Sequence, residues 1–121
     1  MELPREKAAL KKIIKEAIVF LNNYIKVNQV ILFGSQLTGK ATLHSDIDLA
    51  VISPDFKGKK FEEIIHIFAE LAVKCSPQIE IKAYTPDDLK EARSTNFLGY
   101  ILKNGKTVYK TKKMSFGSSS K

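Results

Sequence analysis

The sequence predicts an α/β (α+β) fold, a small mixed β-sheet with helices packed on one face. Three observations point there. Apolar residues near the start recur at helical spacing, two β-branched apolar runs follow, and a later run alternates polar and apolar residues with period two. The order helix, strand, loop, strand, helix, strand, helix, closed by a final strand, is that of a sheet with a helical layer.

The elements follow in chain order. Pro4 stands where a first helical turn tolerates proline. Leu10, Ile13, Ile14, Ala17, Leu21 and Ile25 come at three- and four-residue intervals, with Lys7, Lys11 and Lys15 on the other side, so an amphipathic helix is expected over 5–25. Residues 27–33 are apolar and β-branched and stop at Gly34-Ser35, which reads as a buried strand. A second strand is expected over 47–52, ended by Ser53-Pro54-Asp55, with a loop over 56–60. Phe61, Ile64, Ile65, Phe68, Leu71 and Ala72 mark a second amphipathic helix, and His66 lies off that stripe. Ser76-Pro77 breaks it. Residues 78–84 alternate, with Ile79 and Ile81 facing the core and Glu80 facing away. Thr85-Pro86-Asp87-Asp88 has proline in a first turn and acids at the positive dipole end, so a helix over 86–92 follows. A short helix over 96–103, a turn at Asn104-Gly105 and an edge strand over 106–110 complete the chain, and there is no internal repeat.

The 121 residues are 44% hydrophobic, a length and composition suited to one domain over 1–110 (helix 5–25, core 27–110). No apolar run approaches the roughly 20 residues of a membrane span, and the start lacks a signal-peptide layout, so a soluble cytoplasmic protein is expected. Cys75 is the single cysteine, which excludes an internal disulfide and a cysteine metal site and leaves a buried small hydrophobe. The formal charge of +7 raises nucleic-acid binding. Its distribution argues against it. Lys110, Lys112, Lys113 and Lys121 supply four of the seven units, and the Gly/Ser-rich stretch 111–121 is expected to be a disordered basic tail. Zinc-finger spacing and a ribonucleoprotein aromatic motif are both missing.

The chemistry concentrates in residues 33–51. Asp46 and Asp48, separated by one residue at a strand start, project from one face and repel each other. A hard divalent cation such as magnesium is their natural counter-charge. Glu80, on the outward side of the third strand, offers a third carboxylate once that strand lies beside the second. Three carboxylates can hold two ions roughly 3.5 to 4 Å apart, a spacing that clamps the attacking and leaving oxygens of phosphoryl transfer. Gly34 at a strand end lets backbone amides approach phosphate oxygens, and the Ser35 hydroxyl can add a hydrogen bond.

Gly34-Ser35, Gly39, Ala41 and Ser45-Asp46-Ile47-Asp48-Leu49 together resemble the minimal nucleotidyltransferases (MNT) of the DNA polymerase beta-like superfamily. The resemblance implies that fold over about 25–110. It further implies that Gly34 and Ser35 bind nucleotide phosphates, and that Asp46, Asp48 and Glu80 are catalytic and ligate two magnesium ions. Transfer of a nucleoside monophosphate, AMP from ATP, to an acceptor hydroxyl with release of pyrophosphate would follow. The same resemblance implies an alternative, an antitoxin-like subunit that neutralises a helical HEPN-type partner with weak or no catalysis; a homo-oligomer is the other expected assembly. Thr38 and Gln36 stand where relatives often carry basic residues, which leaves Lys40 as the nearest phosphate cation, a point charge without arginine's bidentate fork. Glu80 replaces the more usual aspartate, one methylene longer. His44, beside the motif, is expected at the loop surface or against substrate.

Overall fold

The computed structural model describes residues 5–38, 45–93 and 95–111. Helix α1 (Arg5–Asn22) leads into strand β1 (Gln29–Phe33), the short helix α2 (Ser35–Thr38) and strand β2 (Ile47–Ile52). Helices α3 (Asp55–Gly58) and α4 (Phe61–Lys74) precede β3 (Ile79–Tyr84), and α5 (Pro86–Lys90), α6 (Phe97–Asn104) and β4 (Lys106–Lys110) follow. Gly39, Lys40, Ala41 and His44 lie outside the described residues, as does the expected tail from 112 onward. No helix among the described residues is long and apolar enough to cross a membrane.

The strands form one mixed sheet in the order β3-β2-β1-β4. β1 pairs antiparallel with β2 and β4, and β2 pairs parallel with β3. A parallel pair needs a crossover, and α4 supplies it. Side-chain alternation gives the sheet two faces. Val30, Leu32, Ile47, Leu49 and Val51 join Ile14, Ala17, Ile18, Leu21, Ile67 and Leu71 in the main core, so α1 and α4 form the expected helical layer. The opposite face carries a smaller cluster of Ile31, Phe33, Ala50 and Ile101, so α6 covers part of the second side as well. That double cover explains why β1 and β2 read as continuous apolar runs.

Local chemistry sets the boundaries. The Asn22 side chain accepts from Val27 N–H at 3.2 Å, and α1 ends there, three residues short of the expected end. The expected loop over 56–60 contains α3 instead. Ser53 Oγ, fully buried, accepts from Asp55 N–H at 3.1 Å and starts that turn. Thr85 and Asp88 cap α5 reciprocally: Thr85 Oγ1 accepts from Asp88 N–H at 3.3 Å, and Asp88 Oδ2 accepts from Thr85 N–H at 2.8 Å. Asn96 caps α6 through Gly99 N–H at 2.9 Å.

The buried seam of α4 differs from the expected stripe. Ile67 and Leu71 are its buried residues, Phe68 and Cys75 pack partly against the core, and Phe61 and Ile65 face solvent. The helix carries more apolar side chains than its contact with α1 and the sheet can absorb. Accordingly, Leu71→Ala, at a site 1% exposed, is expected to lower the unfolding free energy by about 2–5 kcal/mol. Ile65→Ala, at a site 48% exposed, is expected to change it by about 0.5 kcal/mol or less, both measured by urea titration.

Candidate functional site

The site lies at the sheet end where β1 stops and β2 and β3 begin. The parallel register sets Asp48 directly opposite Glu80, while the antiparallel register sets Phe33 opposite Asp48. Two-residue periodicity then turns both carboxylates to the α6 face, since Ile47, Leu49, Ile79 and Ile81 point into the main core. Asp46 precedes the first residue of β2 and is exposed.

Asp48 is half-buried, and its carboxyl is pushed above the usual aspartate range. Burial is the largest cause, followed by the charge of Glu80, a side-chain hydrogen bond with Glu80 and the charge of Asp46; Lys82 opposes them. The structure thus couples Asp46, Asp48 and Glu80 electrostatically and brings Asp48 and Glu80 into contact. Among the described residues, no group of three or more His, Cys, Asp or Glu side chains converges as a metal cage. The donor set fits a hard cation, because the like-charge pair holds negative charge that Lys82 only partly offsets.

Gly34 joins this pair to the strand end. Its φ is +84°, a left-handed conformation that side chains disfavour. A Cβ there would collide with Asp48 Oδ2 and lie 3.3 Å from Asp48 Cγ. The glycine is therefore demanded twice, by backbone conformation and by the carboxylate beside it. Its carbonyl accepts from Leu37 N–H at 3.0 Å, which starts α2 at Ser35.

Two glutamines complete the arrangement, a role that no motif in the sequence announces. Gln36 Nε2 donates to the carbonyls of Ser45 (3.3 Å) and Asp46 (3.4 Å), and Gln78 Nε2 donates to the Ser45 carbonyl at 2.9 Å. Ile47 N–H in turn donates to the Gln78 carbonyl at 2.8 Å. The peptide that carries Asp46 is thereby tied to α2 on one side and to the start of β3 on the other.

Two outcomes follow. Gly34→Ala is expected to cost about 1–3 kcal/mol in chemical denaturation, from left-handed strain and the Asp48 clash. A carboxyl with a raised folded pKa holds its proton more tightly in the native than in the unfolded chain, so the metal-free protein loses stability as pH rises from the ordinary aspartate range through the raised value. Asp48→Asn is expected to flatten that fall in thermal melts run with chelator from about pH 3.5 to 7.

Comparison with known proteins agrees with this fold. The family model "Polymerase beta, Nucleotidyltransferase" matches residues 12–114. No curated protein matches. Among solved structures, a candidate nucleotidyltransferase from Sulfolobus solfataricus superimposes with a TM-score of 0.61 at 14% identity, covering 98% of this chain and 99% of its own. A chain of a toxin–antitoxin complex with AMP-PNP gives 0.54 at 20% identity, covering 86% and 76%. A structure of a tri-AMPylated Shewanella oneidensis HEPN toxin with its MNT antitoxin gives 0.52 at 22% identity, covering 90% and 76%. With the family model spanning most of its length and the glycine and carboxylates meeting at one sheet end, the chain belongs to the polymerase beta nucleotidyltransferase family.

Proposed function

We propose that this chain is a magnesium-dependent nucleotidyltransferase of the MNT type, acting in the cytoplasm, that transfers AMP from ATP to an acceptor hydroxyl and releases pyrophosphate. The observation that carries this reading is the junction of Gly34 with Asp48 and Glu80, where a left-handed glycine abuts a like-charged carboxylate pair. Gly34, Ser35 and Lys40 are assigned to the nucleotide phosphates, and Asp46, Asp48 and Glu80 to two metal ions.

Magnesium, when bound, supplies neutralisation of charge at the α-phosphoryl group and acidifies the acceptor hydroxyl. The chain's own part is positioning and proton transfer. Gly34 and Ser35 hold the outer phosphates so that the α-phosphorus faces the acceptor. The acceptor oxygen bonds to that phosphorus, the bond to the bridging oxygen breaks, and pyrophosphate leaves. The hydroxyl proton passes to Asp48 or Glu80.

A second reading has its own support. Solved relatives include toxin–antitoxin complexes, and α4 presents Phe61, Ile65 and Val73 to solvent. On that reading the chain is an antitoxin-like subunit that contacts a HEPN-type partner. Co-expression separates the two: rescue by Asp46→Ala marks contact alone, and loss of rescue with the complex retained marks catalysis.

The direct test is label transfer from α-phosphate-labelled ATP to a HEPN-type partner, with and without magnesium. Asp48→Asn is expected to lower transfer about a hundredfold or more, the scale of single electrostatic and proton-transfer groups. Undiminished transfer by Asp46→Asn and Asp48→Asn would refute the assignment.

A further inference from the structure

Away from the carboxylates, a groove of about 600 Å³ runs between α1 and β4. Ile14, Val19 and Val108 are among its apolar walls, and Lys11, Lys15 and Lys106 stand on its rim. Val19 is 60% exposed, a large apolar side chain with one flank open to solvent. A smaller hollow of about 200 Å³ adjoins it, sharing Lys11, Ile14, Lys106 and Val108 and reaching Gln36 and Leu37 of α2. The groove lies on the α1 side of the sheet edge formed by β4, whereas Asp48 and Glu80 face α6. It is therefore separate from the proposed catalytic site.

We infer that this groove docks an acidic amphipathic helix of a partner protein. Charge selects the occupant. Among the described residues, every charged side chain lining the groove or its adjoining hollow is a lysine. Glu16, the acid in the middle of α1, lines neither the groove nor the adjoining hollow. The apolar walls select protein over nucleic acid, because a phosphate backbone would satisfy the lysines and leave Val19 and Val108 uncovered. The chain's own C-terminal residues are the wrong sign: 112–121 contain Lys112, Lys113 and Lys121 and no acid. Length sets the size. Lys11 to Asn22 spans about 16 Å of helix axis, room for roughly three turns laid alongside α1 with apolar residues inward and acids toward the lysines.

The proposal is independent of catalysis and is tested without nucleotide or magnesium. The probe is a fluorescein-labelled Leu/Glu amphipathic peptide of about 14 residues, long enough to hold some helix, read by fluorescence polarisation against the full chain. Saturable binding is expected, weakened about tenfold or more by Val19→Asp and by the Lys11→Glu/Lys15→Glu pair, and weakened by added salt. All three positions are exposed, so the variants are expected to fold, which circular dichroism checks. Absence of saturable binding, equal binding of the Leu/Lys counterpart, or indifference to both variants overturns the proposal. A short RNA or DNA duplex that displaces the peptide, or a dimer of this chain that Val19→Asp disperses in sedimentation, overturns it in favour of a nucleic acid or a second copy.

Discussion

The parallel pairing of β2 with β3 is the constraint on which the rest of the structure depends. It sets Asp48 opposite Glu80 and so places two acids side by side. It also demands a crossover, which α4 provides, and α4 with α1 then builds the main core. Burial and charge repulsion at Asp48 are thus a cost written into the topology. Ile47, Leu49, Ile79 and Ile81 meet that cost from the other side of the same strands, because each residue step that turns a carboxylate outward turns a branched apolar side chain into the core.

Most of the framework was legible in the sequence, for identifiable reasons. Strand β2 falls over the expected 47–52 because its apolar run has sharp edges, Asp46 before it and Ser53-Pro54 after it. The outward face of Glu80 was legible from period two, since Ile79 and Ile81 leave it no other, and the parallel pairing of β2 with β3 sets it opposite Asp48. The phase of α4 was not. Ile64, Ile65, Ile67 and Phe68 offer overlapping apolar arcs, and only packing against α1 and the sheet selects Ile67 and Leu71 over Phe61 and Ile65. The reach of α6 to the second sheet face was equally hidden, because Ile101 meets Ile31 across a long sequence separation.

At the site, residue types were legible and linkages were not. Spacing singled out Gly34, Asp46 and Asp48, but only the structure supplies the closeness of Gly34 to the Asp48 carboxylate. Gln36 and Gln78 carry no motif that announces bonds from side chain to distant backbone, so their hold on Ser45 and Asp46 had no sequence signal. On the proposed reading, that hold does for Asp46 what β2 does for Asp48: it fixes the backbone from which a ligand side chain extends.

The glutamine clamp also bears on how this chain can vary. Gln36 reaches the carbonyls of Ser45 and Asp46, so the two ends of the intervening segment are fastened to each other whatever lies between them. Doubling the length of a loop with held ends costs only about 0.6 kcal/mol of closure entropy. A change of length between positions 36 and 45 is therefore cheap in closure entropy so long as Gln36 keeps its two bonds, and the backbone that carries Asp46 stays held.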